Sequence, residues 1–312
     1  MMNQPSKISI WMTQSRVNFL LLAVVLVLIG IALAVKFPIP NGADLSVLNI
    51  ILMLIGNVLA HASVNMINDY FDYKTKIDFE TPKTPFSGGS GMLIKGLTKP
   101  KEVFWVGTII MLIALAIGIY FAITAHWSLY FIIAIGALTI YLYNNLFAKI
   151  LLGEFFTGLT LGTFVVLGTY IGLTATPDMS LSQVFPLEVV LISIPPGILT
   201  FLLLYLNEIP DAEADKRGGR FHLIILLGKK KAAIFYAVGL ILAYLVIIIT
   251  PIISISGYFI YLGLLTIPLA VKSSVTAIKN YNNLELLLPA MGVNILVVLV
   301  TDLLLAIGVF IG

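Results

Sequence analysis

Residues 47–78 read VLNIILMLIGNVLAHASVNMINDYFDYKTKID. The first part is an almost unbroken apolar run close to the roughly 20 residues that cross a bilayer as a helix. It ends in Asn68, Asp69, Asp72 and Asp78. An ionisable group at the mouth of a membrane helix is costly unless it is paired, wetted or bound to a cation. The acids therefore need a reason to be there, and that reason is read from the rest of the chain.

The chain has 312 residues, 60% of them hydrophobic and only 11% charged, with a mean hydropathy of +1.06. These values lie outside the range of ordinary soluble domains and predict a polytopic, all-α membrane protein. The absence of cysteine excludes disulfides, thiolate zinc sites and a cysteine nucleophile. Nine spans are expected, near 17–35, 47–70, 103–124, 127–145, 151–174, 186–208, 231–250, 253–271 and 286–311. The first run is too long for a signal h-region and lacks a small-residue cleavage pattern, so it reads as a retained span. Only TPIISISG separates the seventh and eighth runs, which makes eight spans the competing count.

With nine spans and the N-terminus inside, 17 of the 18 Lys and Arg residues fall on the cytoplasmic side, leaving Lys36 outside. This is the asymmetry expected of a membrane protein in that orientation. The basic residues flank spans and form no patch, which argues against nucleic acid as a partner.

Eight of the 15 acidic residues fall in two groups on the same side: Asp69, Asp72, Asp78 and Glu80, then Glu208, Asp211, Glu213 and Asp215. In NDYFD, Asn68 and Asp72 are four apart, and in NEIPD so are Asn207 and Asp211, with Asp215 four further on. That spacing places the side chains on one helix face. Two such columns facing each other would make a negative cavity suited to Mg²⁺, which prefers carboxylate and amide oxygens and keeps substrate phosphate in its remaining positions. A single cluster would read equally well as a solvated loop; two clusters of the same spacing, each opened by Asn, do not.

The paired motifs resemble those of the UbiA superfamily of intramembrane prenyltransferases. NDYFDYKTKID is similar to that family's Asn-x-x-x-Asp motif with a following Asp, and NEIPDAEAD to its Asp-x-x-x-Asp motif. The resemblance implies one domain over 1–312, with nine transmembrane helices around a central cavity open to the cytoplasmic side. It implies Mg²⁺ held by Asn68, Asp72, Asp78, Asn207, Asp211 and Asp215, with Asp69 completing the family's Asn-Asp pair. The substrates implied are a polyprenyl diphosphate and an aromatic acceptor. FSGGSGMLIKGLTKPKEV (86–103) and YLYNNLFAKILLGEFFTGLTLGTFVVLGTY (141–170) look most like the branch that prenylates 1,4-dihydroxy-2-naphthoate in menaquinone biosynthesis, in a prokaryotic cell membrane. Asn144 and Asn145 stand where that branch usually has prolines, Gly91 where a basic residue is common, and RFHLIILLG replaces a more basic segment. Other acceptors, namely 4-hydroxybenzoate, homogentisate or a glycerol-phosphate lipid, stay open.

Prenyl transfer requires charge neutralisation at the leaving diphosphate, for which Lys149, Lys74, Lys95 and Arg220 are candidates beside the metal. It also requires shielding of an allylic cation, for which Tyr70, Tyr141, Tyr143 and Tyr205 are candidates by cation–π attraction, or else members of an interfacial aromatic belt. Glu154 and Asn144, with Lys149, are candidates to anchor the acceptor. His61 either touches substrate or packs helices, and FSGGSGMLIKG is either a lid or a connector. The rivals from other classes are a cation-coupled transporter, for which only Asp302 lies deep in a span, and a Mg²⁺-dependent lipid phosphotransferase.

Overall fold

The computed structural model describes residues 5–312, and all regular structure within them is helical. Eight helices are long and apolar enough to cross a membrane. They are α1 (Val17–Lys36), α2 (Val47–Lys74), α3 (Pro100–Thr124), α5 (Gly153–Thr174), α6 (Leu187–Arg217), α7 (Lys229–Ile253), α8 (Tyr258–Asn280) and α9 (Leu284–Ile311). Between α3 and α5 lies a shorter apolar helix, α4 (Leu129–Asn145), completing the expected nine among the described residues.

The eight-span alternative fails at Ser254–Gly257. Helix α7 stops soon after Pro251, and Gly257, at φ 79°, reverses the chain into α8. The first nine residues of α8, Tyr258–Thr266, form a 3₁₀ helix, a long run for that geometry. Close packing on α9 sustains it: a Cβ added at Gly308 would lie 2.4 Å from the carbonyl oxygen of Phe259.

Two helices outrun their expected ends. Helix α2 reaches Lys74 rather than residue 70, and α6 reaches Arg217 rather than residue 208. At 31 residues and about 1.5 Å per residue, α6 is well over the ~30 Å hydrocarbon thickness. Its last turns therefore carry NEIPDAEAD beyond the apolar core. Helix α6 runs without a break through Pro195, Pro196 and Pro210. Packing against α5 and α7 holds a helix that proline propensity alone would interrupt.

Helix α1 packs between α5, α9 and α2; Leu26, Val27, Ile29 and Leu33 are fully buried, while Leu21, Leu28 and Val35 leave one stripe of the helix exposed. Helices α5 and α6 cross closely. Gly158 and Gly162 meet Gly197, and a Cβ at Gly162 would fall 2.6 Å from Gly197 Cα, the close approach that small-xxx-small spacing permits. The same part of α5 is a π-helical turn, Leu159–Thr163, a feature often found at functional sites. Large apolar side chains such as Trp105, Ile109, Leu112 and Ile123 point outward, as expected of a surface solvated by lipid. The protein is an integral membrane protein.

Candidate active site

Helices α1 to α6 enclose a cavity of about 360 Å³; no described residue of α7, α8 or α9 lines it. Its deeper wall is apolar, with Leu52, Ile117, Ile133, Leu161 and Leu203 among its members. Its polar end holds Asn68 and Asp72 from α2, Asn207, Asp211 and Asp215 from α6, and Asp78 from the short helix Ile77–Glu80. All six oxygen-bearing residues expected to hold a cation share one cavity.

Arg220, just beyond α6, joins the two columns. Its guanidinium pairs with Asp72, donates through Nη1 to Asp215 Oδ1 at 2.8 Å, and donates through Nη2 to Asn144 Oδ1 at 2.6 Å. The ring of Tyr143 lies 5.9 Å away. Burial opposes the charge, but Asp72 and Asp215 more than offset it and hold the guanidinium above its ordinary range. Asp78 moves the other way for a carboxyl: burial, then the charge of Asp69, pushes it up, with Arg16 opposing. Asn68 donates through Nδ2 to Asp72 Oδ2 at 3.0 Å. Three buried oxygens in this region, Asn68 Oδ1, Asn207 Oδ1 and Asp211 Oδ1, have no hydrogen-bond partner among the described residues.

The Gly-Gly-Ser loop forms part of the wall, with Phe86, Ser87, Gly88 and Gly89 facing the cavity. Gly89 has φ +70°, and a Cβ there would lie 2.5 Å from Asp78 Oδ2. Only glycine fits at that point. Asp69, turned about 100° from Asn68 around the helix, does not line the cavity. It pairs with Arg16 and accepts from Gln14 Nε2 at 2.7 Å and Ser90 N at 3.1 Å. It therefore positions Arg16, which lines the cavity, together with the Gly-Gly-Ser loop.

Several expected residues are not brought to the cavity. Lys74, Lys95 and Lys149 are exposed, where a strongly hydrated ammonium on a flexible stem is best accommodated. Lys74 sits 5.5 Å over the ring of Tyr70, which packs on Phe104. Tyr141 donates to Thr108 Oγ1 at 3.2 Å, away from the cavity. Tyr205 is fully buried against Phe201 and Phe235. Glu154 is fully buried behind the wall, its Oε1 accepting from Leu223 N at 2.9 Å. Asp302 is fully buried in α9 and does not line the cavity.

Other residues do reach it. Tyr143 lines the cavity and donates to Glu208 Oε1 at 3.1 Å; Asn144 and His61 line it too. Glu208 and Arg16 are cavity residues that the motifs did not single out. Glu208 is legible only as a member of the second acidic group, and for Arg16 no local signal exists, because its partner Asp69 belongs to another helix.

Residues 23–296, most of the chain, match the UbiA prenyltransferase family. This chain belongs to that family. The UbiA chain is 28% identical over 257 residues to the 1,4-dihydroxy-2-naphthoate octaprenyltransferase of Bacillus subtilis, covering 81% of this chain and 77% of that relative. Its fold is that of an apo UbiA homolog from Aeropyrum pernix K1, at TM-score 0.65 and 20% identity, covering 90% of this chain and 98% of the other. A UbiA homolog from Archaeoglobus fulgidus bound to GPP and Mg²⁺ aligns at TM-score 0.60 and 13% identity, over 97% and 100% of the two chains. The protein is a membrane-embedded prenyltransferase.

Proposed function

We propose that this UbiA protein, as a single domain, transfers a polyprenyl group from an isoprenoid diphosphate to 1,4-dihydroxy-2-naphthoate, with Mg²⁺, at the cytoplasmic face of a prokaryotic membrane. The observation that carries the reading is the convergence of Asn68, Asp72, Asp78, Asn207, Asp211 and Asp215 on one cavity, with three buried amide and carboxylate oxygens that find no donor among the described residues. Such a donor set suits a hard divalent cation. The Mg²⁺-bound relative of the same fold supports it.

When bound, Mg²⁺ would neutralise and orient the diphosphate at those six residues. The chain's own groups do the rest. Arg220 supplies fixed positive charge at the polar end, where charge grows on the leaving group. The apolar wall takes the isoprenoid and keeps water from the allylic cation, and Tyr143 offers a ring face beside it. Arg16 and Asn144 replace Lys149 and Glu154 as the groups placed to meet an acceptor carboxylate and hydroxyl. The new C–C bond forms at the ring carbon bearing the carboxylate; diphosphate departs from the prenyl carbon, and CO₂ leaves with its bonding pair left to the ring. The naphthoate acceptor is supported by the Bacillus subtilis relative and by the Gly-Gly-Ser and Gly-Glu segments.

The test is competition. Purified protein with Mg²⁺ and one polyprenyl diphosphate receives equal amounts of 1,4-dihydroxy-2-naphthoate, 4-hydroxybenzoate, homogentisate and a glycerol-phosphate lipid, and products are identified by mass. Prenylated, decarboxylated naphthoquinol is the expected product. Consumption of another acceptor with the naphthoate untouched overturns the acceptor assignment.

A further inference from the structure

Next to the acid columns, Glu154 from the first turn of α5, Glu208 from α6, which also borders the cavity, and His222 from the segment after α6 form a second cluster. All three are buried, with relative exposures of 0%, 6% and 1%. One ligand atom from each lies within 4.8 Å of the others. Every one of the three is held from behind. Glu154 Oε1 accepts from Leu223 N at 2.9 Å, Glu208 Oε1 accepts from Tyr143 at 3.1 Å, and His222 Nε2 lies 3.1 Å from Asp215 Oδ2. The atoms left over are Glu154 Oε2, Glu208 Oε2 and His222 Nδ1, and none has a hydrogen-bond partner among the described residues. His222 Nδ1 stands 3.8 Å from Glu208 Oε2.

Asp215 fixes the tautomer. With Nε2–H donating to the Asp215 carboxylate, Nδ1 presents its lone pair toward the oxygens of Glu208 and Glu154. Three buried acceptors then face one another without a donor, which is costly unless a cation joins them. An imidazole braced by a carboxylate on its far nitrogen is the usual arrangement of a metal-binding histidine. With its ligands deprotonated, as metal binding requires, the set would offer two carboxylates and one neutral nitrogen, which suits a borderline divalent ion such as Zn²⁺ better than the oxygen-only preference of Mg²⁺. Ligand atoms around a tetrahedral Zn²⁺ stand about 3.4 Å apart for bonds of roughly 2.0–2.2 Å, so small side-chain rotations would close the site.

We infer that Glu154, Glu208 and His222 bind one Zn²⁺-class cation, distinct from the Mg²⁺ of the acid columns. The ion would pin α5, α6 and the Arg220–Leu227 segment together. Asp215 links the two centres, because its Oδ1 holds Arg220 and its Oδ2 holds His222. The role is positional: the ion would fix where Arg220 stands. Nothing in the inference depends on the acceptor.

The test uses the full chain in detergent, dialysed with Mg²⁺ present and then analysed for bound metals by mass spectrometry. About one Zn²⁺ per chain is expected, or, after reloading with Co²⁺, a visible d–d absorption band of a low-symmetry site. Glu154→Gln and His222→Gln should weaken that binding at least about tenfold, while Asp72→Asn should keep it. Folded wild-type protein that retains no transition metal and gives no Co²⁺ band at micromolar Co²⁺ overturns the inference; the three acceptors then share a proton. Unchanged binding in folded His222→Gln overturns it as well. Should the variants fail to fold, the wild-type Co²⁺ spectrum decides alone.

Discussion

Arg220 joins Asp72 of α2 to Asp215 of α6, so the two acid columns are already bridged by a protein cation. The pairing couples residues that the sequence keeps far apart, at the place where a diphosphate is proposed to sit. Removing one member of a buried, bonded charge pair usually costs several kcal/mol, because the partner is left uncompensated. Arg220→Ala should therefore lower stability by roughly 3–5 kcal/mol and also depress turnover. Thermal unfolding in detergent checks the first part, and a midpoint equal to that of the wild type would show that the bridge contributes nothing.

Metal dependence follows from the unpartnered oxygens of Asn68, Asn207 and Asp211. Asp72→Ala and Asp211→Ala should abolish turnover and leave a folded helical protein, and diphosphate binding should require Mg²⁺. Full activity in excess chelator would refute this.

Gly89 separates packing from backbone strain. Gly89→Ala places a methyl against the Asp78 carboxylate, so it should reduce kcat/KM strongly, about tenfold or more for each ~1.4 kcal/mol of lost transition-state stabilisation. Gly96 also has positive φ (+65°), but a Cβ there meets nothing within 4 Å; Gly96→Ala should cost only the left-handed strain, roughly 1–2 kcal/mol of stability. Equal kinetics for the two variants would show that the Gly89–Asp78 contact does not matter to turnover.

At the α5–α6 crossing, Gly162→Ala forces the helix backbones apart and should destabilise by roughly 1–3 kcal/mol. Gly136→Ala in α4 meets open space and serves as the control. A Gly162→Ala midpoint no lower than that of Gly136→Ala would contradict the close crossing.

Orientation is checked by fusion. Nine spans with the basic residues inside place the C-terminal end of α9 outside, so a reporter after Gly312 should be active only on that side. Cytoplasmic activity would reverse the assignment.

The acid columns were legible because helical periodicity alone puts Asn68 with Asp72, and Asn207 with Asp211 and Asp215, on one face. The same rule turns Asp69 away, since adjacent residues diverge by about 100° around a helix; membership in the motif gave it a catalytic place that its geometry does not. Choosing among cations was harder. Lys74, Lys95, Lys149 and Arg220 are equivalent in a charge count, and only the fold brings Arg220 between carboxylates while the lysines stay exposed. Glu154 and His222 illustrate the remaining limit. Glu154 reads from its segment only as an acceptor anchor and His222 is unremarkable in its own, and their meeting depends on how the chain after α6 returns to the start of α5.

Asp69 ties three separate pieces to one carboxylate: Arg16, Gln14 and the backbone of Ser90. A pull or a bulky fusion applied upstream of Lys7 would travel through that carboxylate to the glycine loop. It would be felt as altered substrate affinity, whereas the same load attached beyond α9 would act on helices that never touch the cavity and would pass unnoticed by the chemistry.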